Sequence, residues 1–319
     1  MNTLPYGAER PVYLSINNLT KFLSGRKVLN KVSFELYGGE VLGFLGPNGS
    51  GKTTTIKSIL GLLKIDSGKV SIMNFDVEKD FEKAIINVGA IIENPEFYKY
   101  LSGMENLRQF ARAYGNITKE RIDEVVSLVR LKDRIYDKVS TYSLGMRQRL
   151  GLAQVLLHYP KIIILDEPTN GLDPAGIKEL RDILRDLSEN YGVSAIVSSH
   201  QLFELEQICD RVVFIDKGVV KGSRLMSELT SIAEDLECEV VIESKDKELI
   251  FNLLNKLGYS IHLEGDKLIL VSKTGSIPEI TKIIIENGLS FVSINPRKKT
   301  LEDVYLSVTK NFTEGGVGQ

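Results

Sequence analysis

The residues best suited to chemistry are Gly46-Pro47-Asn48-Gly49-Ser50-Gly51-Lys52-Thr53-Thr54. Glycines let this backbone bend so that successive N–H groups converge on one anion. The helix that follows adds roughly half a positive charge at its N-terminus. Lys52 can reach the β- and γ-phosphates of a nucleoside triphosphate, and the Thr53 hydroxyl can hold Mg²⁺. The plain alternative is a glycine turn before an ordinary helix. It is the weaker reading, because an apolar run over 41–45 precedes the loop and Ile56, Ile59, Leu60 and Leu63 follow at helical spacing. Strand, glycine loop and helix come in the order that phosphate binding requires.

A second group lies downstream. The buried-strand pattern Ile162 to Leu165 closes on Asp166-Glu167-Pro168. Open α/β sheets place their ligands at such strand ends. Asp166 can hold Mg²⁺ directly or through water, and Glu167 can take a proton from an attacking water. Alone, the pair would read as two acids capping a turn. His200 ends the strand pattern 194–198 on the same side of the sheet, where it can touch a γ-phosphate or orient water. His158 and His262 have no such context and read as ordinary polar groups. Ser143 and Gly145, set before the helix that runs to about Leu157, form a second anion-ready turn. That turn stands about ninety residues from the phosphate loop, beyond a helical insertion. One chain is not expected to fold it onto its own nucleotide; two copies docked head to tail would each present it to the other.

The bulk numbers agree with a soluble globular protein. The 319 residues carry a net charge of −2, which supplies no electrostatic reason to bind nucleic acid. At 43% hydrophobic and 26% charged residues the composition is globular. No apolar run has the length of a membrane span, and Cys209 and Cys238 have no metal spacing. The expectation is a cytoplasmic protein; if it serves a membrane, the spanning part lies on another polypeptide.

The elements that must position these groups follow from pattern. Strands are expected over 12–16, 29–36, 41–45, 69–74, 88–92, 162–165 and 194–198, with a hairpin over 211–222. Between Glu93 and Tyr142 the pattern turns helical, with amphipathic stretches at 105–114 and 119–131. A further helix is expected over 175–191. Beyond Leu225 a helical linker leads to the order β-α-β-β-α-β over 238–295, the ferredoxin-like arrangement, and then a last helix over 301–309. The predicted fold class is α/β: a phosphate-loop nucleoside-triphosphatase core over 12–225 with a helical subdomain at about 94–157, and a small C-terminal α+β domain over 236–310.

In this order the chain resembles the nucleotide-binding subunits of ATP-binding-cassette (ABC) transporters. Gly46 to Thr53 matches the Walker A loop, Tyr142 to Met146 the family signature, and Ile162 to Glu167 Walker B. Asn170 to Asp173 matches the D-loop and His200 the switch histidine. Tyr142-Ser143-Leu144-Gly145-Met146, Glu93-Asn94-Pro95 at the Q-loop and Leu301-Glu302-Asp303-Val304-Tyr305 are similar to subunits of bacitracin and lantibiotic self-protection exporters. Three positions depart from the common pattern. Glu93 replaces the usual glutamine and is a harder Mg²⁺ ligand. Leu144 replaces a glycine, leaving the phosphate contact to Ser143 and Gly145. Leu23 takes the slot of the adenine-stacking aromatic, with Phe22 one residue early.

The resemblance implies an ATPase that powers export by a separate integral membrane permease, from the cytoplasmic face of the membrane. ATP and Mg²⁺ would lie between two cassettes. Gly46 to Thr54 would hold the triphosphate, with Ser143, Gly145 and Met146 of the second copy, and Phe22 is the candidate for the base. Thr53, Glu93 and Asp166 would bind Mg²⁺. Glu167 would polarise water, His200 orient the γ-phosphate, and Asp173 communicate across the dimer. Two rivals belong to other classes. A soluble ATPase acting on ribosomes or DNA would carry paired cassettes or long coiled coils, which are missing here. The C-terminal domain could instead be a ligand sensor, although it shows no ligand-specific constellation.

Overall fold

The structure is a computed structural model that describes residues 10–235, 237–273 and 276–297. It divides into two compact units, Met1–Leu225 and Met226–Gln319. The helix expected over 301–309, with its Leu301 to Tyr305 motif, lies outside the described residues.

The first unit runs β1 (Val12–Leu23), β2 (Arg26–Tyr37), β3 (Val41–Leu45), α1 (Lys52–Ile59), β4 (Ser67–Ile72), β5 (Phe75–Asp76), α2 (Phe81–Ile85) and β6 (Val88–Ile91). It continues α3 (Gly103–Tyr114), α4 (Lys119–Leu128), α5 (Leu144–Leu156), β7 (Ile162–Leu165), α6 (Pro174–Tyr191), β8 (Ser194–Ser199), α7 (Leu202–Glu206), β9 (Arg211–Asp216) and β10 (Val219–Leu225). A six-stranded sheet has the order β10-β9-β3-β8-β7-β6, parallel except for the edge strand β10. Every residue of β3, β7 and β8 is buried, which is why they read as unbroken runs rather than alternations. Their C-terminal ends lie side by side and carry the phosphate loop, Asp166 and His200.

A second, antiparallel sheet has the order β2-β1-β4-β5. Both of its long strands overrun the expected bounds. Ser24 and Gly25 take left-handed φ values of 47° and 76°, closing a two-residue turn that pairs Phe22 with Lys27. Phe22 and Leu23, expected between strands, therefore end a strand. Helix α1 shares one apolar core with both sheets, in which Ile56 and Ile59 join Leu14, Leu36, Phe34 and Phe44. The helical segment opens on a capping box, with Ser102 and Glu105 satisfying each other's backbone N–H at the start of α3. Leu107, Val125 and Leu150 are buried on α3, α4 and α5.

The second unit runs α8 (Met226–Asp235), β11 (Glu237–Glu243), α9 (Lys247–Lys256), β12 (Ser260–Glu264), β13 (Lys267–Lys273), α10 (Ile277–Glu286) and β14 (Ser293–Arg297). Its sheet is antiparallel with the order β12-β13-β11-β14, the ferredoxin-like arrangement. Val240, Ile242, Leu268 and Leu270 pack with Ile250, Leu254, Ile280 and Ile284. The last strand, which the pattern places over 289–295, starts at Ser293, four residues later. Gly288, at φ 72°, ends α10, and the Leu289 N–H returns to the Ile284 carbonyl, so the helix cap consumes the expected start. Among the described residues no helix is long and apolar enough to cross a membrane.

Candidate nucleotide-binding and hydrolysis site

Between β3 and α1 the chain passes where only glycine fits. A Cβ on Gly46 would lie 2.2 Å from the Ile215 carbonyl oxygen. Gly51 caps α1 at φ 108°, a left-handed conformation that side chains resist. Pro47, Asn48 and Gly49 form the exposed tip, while Ser50 is buried with a hydroxyl that has no partner. Lys52, the first residue of α1, is only 5% exposed, and its ammonium donates to the Gly46 carbonyl at 2.7 Å and to Pro47 at 3.4 Å. The cation thus curls over the loop it belongs to. Thr53 and Thr54 occupy the first turn of α1.

The loop is braced from the β9–β10 hairpin. Gly218 N–H donates to the Ser50 carbonyl at 2.8 Å, and the Gly218 carbonyl accepts from Asn30 N–H at 2.8 Å. A Cβ there would lie 1.9 Å from the Val28 carbonyl oxygen, so this turn also requires glycine. The Lys217-Gly218 signal marked a hairpin in the sequence, but nothing there tied it to the phosphate loop.

The acidic residues come to the same place. Thr53 Oγ1 donates to Asp166 Oδ2 at 2.8 Å. The Lys52 ammonium lies 3.2 Å from Glu167 Oε1. Glu167 Oε2 meets His200 Nδ1 at 2.7 Å and accepts from Asn170 Nδ2 at 2.9 Å. Burial opposes ionisation of Glu167, but His200, Lys52 and Asn170 outweigh it and hold the carboxyl below the usual range. The backbone of Glu167 is left-handed, at φ 51°. Ser198 supports it: its hydroxyl donates to Asp166 Oδ1 at 2.5 Å and accepts from Glu167 N–H at 2.8 Å. The sequence assigns Ser198 no role, and marks Asn170 only as the start of the D-loop match. The only available signal was two serines, 198 and 199, closing an otherwise apolar strand.

Other expected site residues stand apart from this cluster. Glu93 follows β6 at the same sheet end, where Asp166 N–H donates to Ile91, and it is exposed with φ 63°. It makes no hydrogen bond or ion pair with Thr53 or Asp166. Its neighbours instead reach α5: Asn94 accepts from Gln148 at 3.4 Å, and Pro95 lies against Gly151. Ser143 is the N-cap of α5 and accepts from Met146 N–H at 3.2 Å. Gly145 does not precede the helix, as expected, but is its second residue, because Leu144 already takes helical geometry. Asp173 caps α6 by accepting from Gly176 N–H at 2.9 Å. None of Ser143, Gly145, Met146 and Asp173 bonds to residues 46–54.

Phe22 is 44% exposed, with Lys27 Nζ 5.5 Å from its ring centroid. His158 and His262 lie away from the cluster. His158 Nε2 meets the Val88 carbonyl at 3.1 Å and the ring stacks on Tyr114, while His262 is exposed on β12. Cys209 is buried, which pushes its thiol pKa up and leaves it unreactive.

A parallel sheet with a lysine-bearing glycine loop, and an Asp-Glu pair and a histidine on neighbouring strand ends, defines a phosphate-loop ATPase. Comparison with known proteins gives the family. The ABC transporter family profile matches residues 29–170. The uncharacterised ABC transporter ATP-binding protein YdbJ of Bacillus subtilis is 44% identical over 303 residues, 95% of this chain and 97% of the relative. The bacitracin transport ATP-binding protein BcrA of Bacillus licheniformis is 35% identical over 95% of this chain and 99% of its own length. A solved ATP-binding subunit of an ABC transporter superposes with a TM-score of 0.61 at 30% identity, over 69% of this chain and 92% of that one. The chain belongs to the ATP-binding proteins of ABC transporters, and it is a nucleotide-binding, ATP-hydrolysing enzyme.

Proposed function

We propose that the protein is the ATPase subunit of an exporter for antimicrobial peptides of the bacitracin or lantibiotic type, working on a separate membrane permease. The observation that carries the ATPase half is the convergence of Lys52, Thr53, Asp166, Glu167 and His200 at one end of the parallel sheet. The full-length likeness to a bacitracin transport protein supports the cargo class.

Residues 46–54 bind the triphosphate through backbone N–H groups, the unpartnered Ser50 hydroxyl and Lys52. Thr53 and Asp166 would hold Mg²⁺: their oxygens are 2.8 Å apart, and an all-oxygen set suits a hard cation. Glu93, at the same sheet end, is the third candidate ligand. The described residues contain no group of three or more His, Cys, Asp or Glu side chains placed to cage a metal, which fits a cation shared with phosphate oxygens. Mg²⁺ bound there would neutralise phosphate charge. Glu167 takes the proton of the attacking water, and His200 holds the carboxylate and faces the γ-phosphate.

The Lys52–Glu167 pair couples binding to this chemistry. While Lys52 neutralises it, Glu167 is a weak base. A triphosphate draws Lys52 to itself and removes one of the contacts that, after His200, hold the Glu167 carboxyl down. The base is armed by its own substrate.

Ser143, Gly145 and Met146 complete the pocket of a second copy docked head to tail, and Asp173 lies at that junction. Phe22 offers a half-exposed ring to the base. The α3–α5 segment, tied to the Glu93 loop through Gln148 and Gly151, receives the permease, which places the subunit at the cytoplasmic face of the membrane. The test is loss of the gene: bacitracin tolerance should fall and return with the wild-type chain but not with Glu167→Gln. Unchanged tolerance would overturn the cargo.

A further inference from the structure

Glu204 lies on the five-residue helix α7, four residues past His200, and one oxygen of its side chain does two things. Oε2 accepts from Thr169 Oγ1 at 2.6 Å and from Ser199 Oγ at 2.7 Å. Thr169 sits in the turn that carries Glu167 and Asn170; Ser199 is the residue before His200. Both hydroxyls are buried, with Thr169 3% and Ser199 1% exposed, so neither has water as an alternative partner. Ser199 also accepts from Gln201 N–H through its hydroxyl, and from Gly46 N–H through its carbonyl at 3.3 Å. The turn after β7, the end of β8 and the start of the phosphate loop therefore meet at this point.

From this geometry we infer that Glu204 is a positioning residue for hydrolysis, a strap that keeps Glu167 and His200 in register. The two catalytic side chains touch only tip to tip; the β7–β8 pairing and the Ser198 hydroxyl on Glu167 N–H hold the strand ends, but neither reaches the turn beyond Glu167 or the segment after Ser199. The strap closes a ring: Glu167, Thr169, Glu204, Ser199, His200 and back to Glu167. Glu167 has a left-handed backbone, held at its N–H by Ser198 and, two residues on, at Thr169 by the strap. Displacing a base by about an ångström costs on the order of 100-fold in rate. Because the strap lies behind the reacting groups, its loss should lower kcat and leave nucleotide binding alone. The inference rests on the catalytic reading of Glu167 and His200.

The test measures ATP hydrolysis and ATP binding by the full chain. Glu204→Ala should lower kcat by about 10–100-fold, with KM for ATP changed by no more than about twofold. Glu204→Gln, whose amide oxygen can still accept both hydroxyls, should recover most of the rate. In a His200→Ala background, read under single-turnover conditions, Glu204→Ala should add almost nothing, because the register it maintains has already lost its partner. A merely structural residue would give the same factor in both backgrounds, and that result overturns the strap. So does a rise in KM at constant kcat. If Glu204→Ala does not fold, Thr169→Val cuts the same tie from the other end and is read the same way. An inactive Glu167→Gln beside a fully active Glu204→Ala sinks the strap alone; a fully active Glu167→Gln sinks the catalytic reading and the strap with it.

Discussion

Glu167→Gln separates the two jobs of one carboxylate. The amide oxygen can still accept from Asn170 and meet His200, which now hold Oε2 at 2.9 Å and 2.7 Å, so the fold should survive. Lys52 loses its counter-ion. At 3.2 Å the ion pair has a gross attraction of about 5 kcal/mol at an effective dielectric near 20. Desolvation of a lysine that is 5% exposed and a glutamate that is 21% exposed cancels most of that. A net of about 1–2 kcal/mol remains to be displaced when phosphate takes the lysine, so the variant should bind ATP roughly 5–30-fold more tightly. It should also lose the general base and hydrolyse about 10²–10⁴-fold more slowly. Calorimetric titration with ATP and a phosphate-release assay read the two effects separately. Wild-type turnover would remove Glu167 as the base. Unchanged or weaker binding would show that Lys52 does not leave Glu167 for the nucleotide.

Three further outcomes follow from other parts of the molecule. Mixing Ser143→Arg with Lys52→Ala, each inactive alone, should restore up to about a quarter of wild-type turnover, since half of the dimers are mixed and each has one intact pocket; no recovery would exclude a pocket shared between copies. Gly218→Ala places a Cβ 1.9 Å from the Val28 carbonyl at φ 74°, and should cost on the order of 2–4 kcal/mol, seen as a lower Tm and weaker ATP binding because the Ser50 anchor moves. Burial holds the His158 pKa below its ordinary 6.5, so the unfolded chain takes up the proton more readily. This contribution to stability is present above about pH 6.5 and is lost as pH falls through the lower folded value. The wild-type Tm should therefore drop more between about pH 7.5 and 5.5 than that of His158→Phe, and parallel curves would refute the assignment.

The phosphate loop was legible in the sequence because its chemistry is local. Glycine spacing, the lysine and the flanking strand and helix are neighbours in the chain, and each has its own signature. The same holds for Asp166, Glu167 and His200 as strand-end residues. What the pattern could not show were the supports. Ser198 is one more small residue in a buried strand until β8 lies beside β7, and only then does its hydroxyl bridge Asp166 and Glu167. Gly218 looks like any hairpin glycine until the β9–β10 turn meets Ser50 and Val28. Glu204 reads as an ordinary surface acid on a short helix.

Phe22 and Gly145 show how the local reading erred. Phe22 lies between the strand patterns 12–16 and 29–36; cross-strand pairing with Lys27 carries the strand through it. The pattern places Ser143 and Gly145 together in a turn before the helix, yet the cap at Ser143 starts the helix at Leu144 and takes Gly145 into its first turn.

The sequence by itself determined the family, the order of most elements and which residues stand at the strand ends around the phosphate loop, since each rests on residues close along the chain. Tertiary structure alone decided which carboxylate oxygen faces Lys52, which hydroxyls hold the two acids, and that Ser143 stays away from the phosphate loop of its own chain. The contacts among these join residues 31 to 115 positions apart, and no periodicity in a sequence encodes a distance of 3 Å across a sheet.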